Sequence, residues 1–325
     1  MGYRIDPAES LSDAVTRIAR EQLAKAVADL TLATRDRRAC VHDARQRFKN
    51  LRGLFLLVRP ADRAFCDRER RRYRDLGRSL AGFREAGALV ETLERTARGR
   101  AGAPARAALA GVRNRLVRRE RRLERNAADP DAAMAEAAAA CRDGLSALDE
   151  FPSVSKPSRA ARIIERGLSR AYGRGVEALA RARLGGRLED FHQLRKQVKF
   201  HWMQVKLLQL AWPGPMKARR RAARALAGDL GDLNDIAVML ERLLECPRSF
   251  GSRDEVETLA ALLHRRRRSL ERKCLDGAAR LMAEDPESLG RRMSDYYRQG
   301  VAEAARQSRH KPARYSQSRK VQVAP

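Results

Sequence analysis

Two short segments carry the pattern that decides the fold: VHDARQRFK at residues 41–49 and FHQLRKQVK at residues 191–199. They align without a gap at an offset of 150 residues, because 192 minus 42 is 150. The same offset superimposes further pairs along the chain: Lys49 on Lys199, Arg71 on Arg221, Arg74 on Arg224, Leu76 on Leu226, Leu80 on Leu230, Glu85 on Asp235, Arg115 on Arg265, Arg118 on Arg268 and Arg122 on Arg272. So many matches at one offset predict an internal duplication.

Each repeat has the character of a helical bundle. Alanine, leucine, arginine and glutamate dominate, and no segment shows the sustained period-two alternation of a strand. Helices are predicted in the first half near residues 9–35, 38–59, 62–98 and 105–128, and the second half repeats the pattern. The predicted fold is therefore all-α, with two tandem four-helix bundles related by the internal duplication.

The domain boundaries follow from composition. A Pro- and Ser-containing stretch at residues 152–158 reads as the linker between the halves. The prediction places the first helical-bundle repeat at residues 8–150 and the second at residues 158–305. Residues 306–325 are basic, polar and without helical apolar spacing, so they are predicted to form a disordered tail.

The net charge points to an anionic partner. There are 69 basic and 41 acidic residues in the 325-residue chain, a difference of +28. Such an excess exceeds what solubility needs and predicts a strongly negative ligand. Aromatic residues make up only 5% of the chain, which disfavours a protein that stacks single-stranded bases.

Cysteine usage and hydropathy disfavour several further classes of protein. The five cysteines are odd in number, are scattered and have no CxxC spacing, so we expect inert thiols rather than disulfides or zinc ligands. The N-terminus MGYRIDPAES lacks a cationic region followed by an apolar core, and no apolar run has the length of a membrane span. A cytoplasmic location without membrane insertion is the expectation.

A basic ridge runs along one helix of each half. At about 100° per residue, the ridge residues of the first half fall within about 80° of one face. In the first half these residues are Arg38, His42, Arg45, Lys49 and Arg52, and in the second half they are His192, Arg195, Lys196, Lys199 and Lys206. Apolar stripes beside the ridges are predicted to face the core: Val41, Ala44, Phe48, Leu51, Phe55 and Val58, and then Phe191, Leu194, Val198, Val205 and Leu208.

Two more basic stripes recur in both halves. The second consists of Arg71, Arg74 and Arg78 in the first half and Lys217, Arg221 and Arg224 in the second. The third consists of Arg115, Arg118, Arg122 and Arg125, with Arg265, Arg268 and Arg272 in the second half. A basic run on a helix is usually a solvated face, but like charges at this spacing destabilise a helix by ~0.2–0.5 kcal/mol per pair. Their recurrence therefore favours an anion that compensates them.

Two carboxylates share the face of the second stripe. Glu85 and Asp235 occupy equivalent positions in the two repeats. A carboxylate there is predicted to fix the rotamer of an arginine or to hold a histidine proton.

Three roles compete for His42 and His192: metal ligand, general acid or base, and donor to an anion. Neither has a second metal ligand at suitable spacing, and neither has a nucleophile, a Gly-rich phosphate loop or paired carboxylates beside it. Donation to a phosphate oxygen fits the neighbouring arginine and lysine best. No catalytic residue, metal or cofactor is predicted, and His201 is interpreted as a satisfied packing residue.

These residues resemble the CHAD domain, the conserved histidine α-helical domain. The resemblance rests on the two ridge motifs and on LGDLNDIAV at residues 230–238, which is similar to the Leu-Gly-x-x-Arg-Asp-x-x-Val element of the family. Asn234 stands where that element has arginine, and the first half has Ala81 for the glycine and Glu85 for the aspartate. The resemblance covers nearly the whole chain and implies two four-helix bundles with pseudo-two-fold symmetry, whose basic residues bind inorganic polyphosphate.

Family members are often joined to a triphosphate tunnel domain with a Glu-x-Glu-x-Lys strand. Here Glu255-Val256-Glu257 lies in a helical pattern, so a stand-alone module is expected. The functional prediction is non-catalytic polyphosphate binding, with association with polyphosphate granules as its cellular setting. The alternative is a nucleoid-associated protein that holds nucleic acid through its backbone. A third class, a metal-dependent phosphohydrolase, is disfavoured because the sequence lacks an acidic metal cluster.

Overall fold

The computed structural model describes residues 2–31, 36–80, 85–97, 109–119 and 130–310. Regular secondary structure in these ranges is helical, without a strand, which confirms the all-α class. We number the α-helices in chain order as α1 Leu11–Thr31, α2 Arg37–Leu57, α3 Arg63–Ser79, α4 Glu85–Ala97, α5 109–119, α6 Pro130–Ala147, α7 Pro157–Gly185, α8 Leu188–Leu207, α9 Pro213–Glu245, α10 Arg253–Leu281 and α11 Pro286–His310.

The first two predicted helices are confirmed with small changes at their ends. α1 ends at Thr31, and residues 32–35 lie outside the described residues. α2 begins after Asp36, whose carboxylate accepts a hydrogen bond from the backbone N of Arg38 at 3.0 Å. Asp36 is therefore the N-cap, because its side chain satisfies one of the unpaired N–H groups of the first turn.

The single helix predicted at residues 62–98 is wrong. α3 ends at Ser79, and α4 begins at Glu85. In the last turn of α3, the Gly77 carbonyl accepts a hydrogen bond of 2.6 Å from Nη1 of Arg45. A side chain thus satisfies a carbonyl at a helix end, where no helical N–H serves it. The corresponding stretch of the second half is the continuous helix α9.

The prediction of four helices per half is also wrong, because the described residues contain six helices in the first half, α1 to α6, and five in the second, α7 to α11. The additional helix of the second half, α11, packs along α7, as α6 packs along α1 in the first half. The sequence of α6 is so rich in alanine that its apolar face contrasts weakly with the rest of its surface, and its helical period is therefore weak. Of the helix predicted at residues 105–128, residues 109–119 are helical and the rest lies outside the described residues.

The helices pack in a similar order in both halves. α2 lies between α1 and α3, and α8 lies between α7 and α9. Across the middle of the molecule α2 contacts both α7 and α8, and α4 contacts α9 and α10. Buried side chains of both halves form one contiguous hydrophobic core. Both predicted apolar stripes are buried in it, as expected for amphipathic helices on a core.

α2 and α8 meet closely at equivalent positions of the predicted repeat. A Cβ added to Gly53 would lie 2.9 Å from the Sδ atom of Met203, and 203 minus 53 is 150. The starts of α2 and α8 are 151 residues apart (188 minus 37), and those of α3 and α9 are 150 apart (213 minus 63). Contact between equivalent positions is what a pseudo-two-fold axis requires. The duplication itself stays a prediction.

The five cysteines are free thiols that differ in exposure. Cys40, Cys66, Cys141 and Cys274 are buried thiols, whereas Cys246 is exposed. Burial raises the pKa of Cys66 to about 12, which keeps this thiol protonated and unreactive. Cys246 follows the last residue of α9 in a short connection, where little packs against it. Among the helices that the structure describes, none combines the length and apolar content needed to cross a bilayer.

Candidate anion-binding surface

The basic ridge of α2 changes character along the helix. Arg38 and His42 are exposed at its start, whereas Arg45 and Lys49 are partly buried further along. Arg45 reaches α3 through its bond to the Gly77 carbonyl. The ridge therefore enters the contact between helices rather than staying on an open face.

Arg52 is the last ridge residue of α2, and it lies beside an aromatic ring and several other cations. Its guanidinium carbon lies 5.8 Å from the ring centroid of Phe200 on α8. It forms no hydrogen bond or ion pair within the described residues. Burial lowers the pKa of Arg52, and the positive charges of three α3 arginines lower it further: Arg70, Arg74 and Arg78.

Lys196 of α8 belongs to the same group of cations. Partial burial lowers the pKa of its amine, and Arg52, Arg70 and Arg174 lower it further. These influences come from α2, α3 and α7, so the group joins ridge residues from both halves. We define the central basic cluster as Arg52, Arg70, Arg74, Arg78, Arg174 and Lys196.

A second group of cations surrounds Lys206, at the C-terminal end of α8. Its amine lies 5.2 Å from the ring centroid of Tyr3. Burial lowers the pKa of this amine, and four arginines from the N-terminal segment, α2 and α9 lower it further. We define the second basic cluster as Lys206, Arg4, Arg47, Arg220 and Arg224.

Two arginines elsewhere in the protein have a raised pKa instead of a lowered one. Glu9 and Glu21 raise the pKa of Arg17, and Asp67 raises the pKa of Arg59, because each carboxylate bonds to the guanidinium and stabilises its charged form. For four members of the central basic cluster, burial and like charges outweigh the carboxylates and lower the pKa: Arg52, Arg70, Arg174 and Lys196. A bound anion would restore the stabilisation that these cations lack.

Only some residues of the α3 and α9 stripes belong to the two basic clusters. Arg74 bonds to Asp75 at 2.9 Å, and Arg78 lies 3.7 Å from the same carboxylate. Arg71 is exposed on α3, as are Lys217, Arg221 and Arg224 on α9. The structure thus brings Arg74 and Arg78 to the central basic cluster and Arg224 to the second.

One residue of the third stripe, Arg115, forms a contact between helices. Nη1 of Arg115 on α5 bonds to both oxygens of Glu255, at 2.8 and 3.0 Å. Hydrogen bonding by Arg115 and then by the Ser252 backbone lowers the pKa of Glu255. The remaining described members of the stripe are exposed: Arg118, Arg265, Arg268 and Arg272. Arg122 and Arg125 lie outside the described residues.

His192 lies in different surroundings from the basic clusters. Its Nδ1 is 3.0 Å from Oδ1 of Asn234, so the asparagine that departs from the family element orients this ring. Both residues line a shallow cleft of about 190 Å³, whose other walls are largely apolar and include the carboxylates Glu189 and Glu241. His192 lies one helical turn before Lys196 of the central basic cluster, but the hydrogen bond of its ring goes to Asn234.

Asp235 contacts an arginine that the stripes did not include. Nη2 of Arg95 on α4 bonds to Oδ2 of Asp235 at 2.7 Å, and its Nε is 3.7 Å from Asp232. The carboxylate fixes an arginine rotamer, and the pair links α4 to α9. Glu85, its predicted counterpart, is the first residue of α4.

His201 is a buried packing residue with one unsatisfied nitrogen. Its Nε2 accepts a hydrogen bond of 2.9 Å from Nε of Arg219, and its ring centroid is 5.2 Å from that of Tyr172. Nδ1 is buried without a hydrogen-bond partner in the described structure, so the predicted full satisfaction is wrong at this atom. Burial, and then Arg219, lower its pKa well below the usual value of 6.5, which keeps the ring neutral.

Sequence reasoning missed several cations of the two clusters. Arg70 and Arg220 sit at equivalent positions, since 220 minus 70 is 150, and this signal could have identified them. Arg174 carries no comparable signal, because its place beside Arg70 depends on how α7 crosses α2. In the residues that the structure describes, no group of three or more His, Cys, Asp or Glu side chains has a metal-binding arrangement.

The all-helical fold, the ridge motifs and the basic clusters define a class of cationic α-helical modules. The family model of the CHAD domain matches residues 17–244, which is 228 of 325 residues. The chain belongs to the CHAD domain family. A search of curated proteins found no significant match.

Proposed function

We propose that this CHAD domain protein binds inorganic polyphosphate through the two basic clusters and catalyses no reaction on it. The observation that carries the proposal is the environment of Arg52 and Lys196. These cations come from two different helices, and the charged groups that act on them are chiefly other cations; Arg52 is also partly withdrawn from water. Such an arrangement is costly unless an anion occupies it, so it favours a ligand with closely spaced negative charges.

The shape of the site favours polyphosphate over nucleic acid. Each cluster draws its cations from several helices, and a thin, flexible chain of phosphates can bend to follow them. A DNA duplex carries its phosphates on the outside of a wide, stiff rod. The aromatic rings beside the clusters, Phe200 and Tyr3, are 7% and 5% exposed, so neither offers a face on which a base could stack.

The mechanism is multivalent electrostatic pairing. Arginine and lysine side chains held on packed helices would contact successive phosphates and release the counterions of the chain. If the six cations of the central basic cluster are all engaged, the logarithm of affinity should fall with the logarithm of salt concentration with a slope on the order of −4. Little ordering is needed, because the helices are already packed.

A competition titration tests the proposal. Labelled long-chain polyphosphate is bound to the protein at increasing salt, with double-stranded DNA of matched total charge as competitor. We expect polyphosphate to remain bound near physiological salt and to resist displacement by DNA. Equal or tighter binding of DNA would instead support the nucleoid-associated alternative, which the net charge of +28 also favours.

The non-catalytic part of the proposal has its own test. The protein is incubated with polyphosphate and Mg²⁺, and released orthophosphate is measured over time. We expect release no faster than in the absence of protein. Sustained release that depends on protein concentration would contradict this part and reopen the phosphohydrolase class. Association with polyphosphate granules would follow from binding and is testable by imaging a tagged protein in cells with and without polyphosphate.

A further inference from the structure

A third basic site lies where α7 crosses the end of α2. A small cleft there is lined by Leu56, Arg59, Pro60, Gly167, Arg170 and Arg174. α7 approaches so closely that a Cβ at Gly167 would lie 1.8 Å from the Leu57 carbonyl oxygen, so only glycine fits. This contact holds Arg170 and Arg174, one and two turns further along α7, beside Arg59.

Carboxylates are scarce in this cleft. Asp67 is the acidic partner of Arg59, at 2.6 Å, and it also lies 3.1 Å from Arg70 and 3.8 Å from Arg63. A single carboxylate is therefore shared by three arginines. Neither Arg170 nor Arg174 forms an ion pair or a side-chain hydrogen bond within the described residues.

The ordinary explanation for arginines at a helix end is that they bond to its last carbonyls. Here the side-chain hydrogen bonds of Arg59 within the described structure go to Asp67. Arg170 and Arg174 donate none to α2. Capping of α2 therefore accounts for none of the three arginines.

Arg174 is partly buried and connects the cleft to the central basic cluster. Burial lowers its pKa, and Arg70 and Arg59 lower it further, with only Glu177 acting in the opposite direction before Arg170 lowers it again. Arg70 also acts on Arg52 and Lys196. Arg70 is thus a common neighbour of cations on α2, α7 and α8.

We propose that Arg170 and Arg174 bind phosphate groups of the same polyphosphate chain that occupies the central basic cluster, so that the chain leaves the cluster along α7. This inference rests on the proposed function. It assigns a direction to the bound polymer and a role to two arginines outside the ridge motifs.

The test compares two double variants of the full-length protein. R170A/R174A removes the two α7 cations, and the matched control R291A/R309A removes two exposed arginines of α11. Affinity for long-chain polyphosphate is measured over a range of salt. We expect R170A/R174A to bind about 10-fold more weakly than the control, with a salt slope smaller by about 1.4. Helical circular dichroism and the urea midpoint report folding, and R170Q/R174Q serves if the alanine pair is destabilised.

Three outcomes would overturn the inference, and each has a different meaning. If R170A/R174A binds polyphosphate as tightly as the control while wild type binds well, the α7 site fails and the proposed function stands. If wild type binds no polyphosphate, both fail together. If millimolar orthophosphate abolishes the difference by weakening polyphosphate binding to wild type only, the cleft is a site for free phosphate and not a continuation of the polymer track.

Discussion

Arg52 and Arg219 are two partly buried arginines that rest on aromatic rings in almost the same way. The guanidinium carbon of Arg52 is 5.8 Å from the centroid of Phe200, and that of Arg219 is 5.7 Å from the centroid of Tyr172. Arg219 bonds to a carboxylate, an imidazole and a carbonyl: Glu284 at 2.6 Å, His201 at 2.9 Å and Leu281 at 3.2 Å. Arg52 has other cations for neighbours instead.

The comparison separates two uses of the same side chain. Arg219 is neutralised inside the protein and links α8 and α9 to the turn between α10 and α11. Arg52 lies on a ring without an internal ion pair among the described residues, as the proposed binding role requires. Positive charge by itself therefore does not identify a binding residue, and the absence of an internal carboxylate is the more informative feature.

The largest expected effect concerns binding. R52A/K196A should lower the affinity for long-chain polyphosphate about 100-fold, because two charge-assisted contacts are lost at roughly 1.5 kcal/mol each. The measurement is fluorescence anisotropy at fixed salt, with R291A/R309A as the control for loss of two positive charges. A loss no larger than that of the control would place the binding site elsewhere.

The next effect concerns stability. Arg219→Met should lower the free energy of unfolding by about 2 kcal/mol, because it leaves Glu284 and the His201 ring without their shared donor. Urea unfolding measures this, and Arg221→Met, which removes an exposed arginine of the same helix, is the control. Polyphosphate affinity of Arg219→Met should stay within twofold of wild type. A stable Arg219→Met variant that binds poorly would reverse the roles assigned to the two arginines.

The free energy of unfolding should depend on pH because of His201, which accepts a hydrogen bond from Arg219. The folded state keeps His201 neutral, whereas an unfolded histidine takes up a proton below its pKa of about 6.5. The folded state binds fewer protons, so stability is full above pH 6.5 and falls as pH decreases, by about 1.4 kcal/mol at pH 5.5. Unfolding at pH 7.5, 6.5 and 5.5 measures the loss.

His201→Gln should remove most of that pH dependence. His192→Gln is the matched control, because His192 is exposed and its variant should retain the dependence of wild type. An identical pH response in His201→Gln and wild type would mean that other groups cause it.

The smallest effect has the opposite sign. Arg52→Met should raise the free energy of unfolding by roughly 0.5 kcal/mol without ligand, because it removes a partly buried charge that like charges repel. Low salt sharpens the effect, since screening is weakest there. The same urea experiment measures it, and saturating polyphosphate should reverse the order of the two proteins. Destabilisation comparable to that of Arg219→Met would show that Arg52 is structural.

Much of the fold could be predicted because helical periodicity is a local property. The apolar stripe from Val41 to Val58 is buried as predicted, and α2 begins within one residue of its predicted start. The break between α3 and α4 was missed, because a tertiary bond from Arg45 satisfies the carbonyl at the end of α3. Such a bond cannot be anticipated from propensity alone.

The residues of the candidate site could also be predicted only in part. Arg52 and Lys196 could be selected from helix faces, and Arg70 could have been selected from the repeat. Arg174 could not, because its neighbours are set by the crossing at Gly167. Arg115 was assigned to the binding surface from its spacing, yet it bonds to Glu255 across a helix contact. Periodicity indicates which side chains share a face but not which of them meet a carboxylate.

The reactivity of Lys196 tests the central claim most directly. Its lowered pKa increases the fraction of neutral amine, so a limiting acylating reagent at neutral pH should modify Lys196 before the exposed amine of Lys217, as measured by mass spectrometry. Saturating polyphosphate should protect Lys196 strongly, and DNA of matched charge should protect it far less. Unchanged modification of Lys196 under saturating polyphosphate would contradict binding at the central basic cluster.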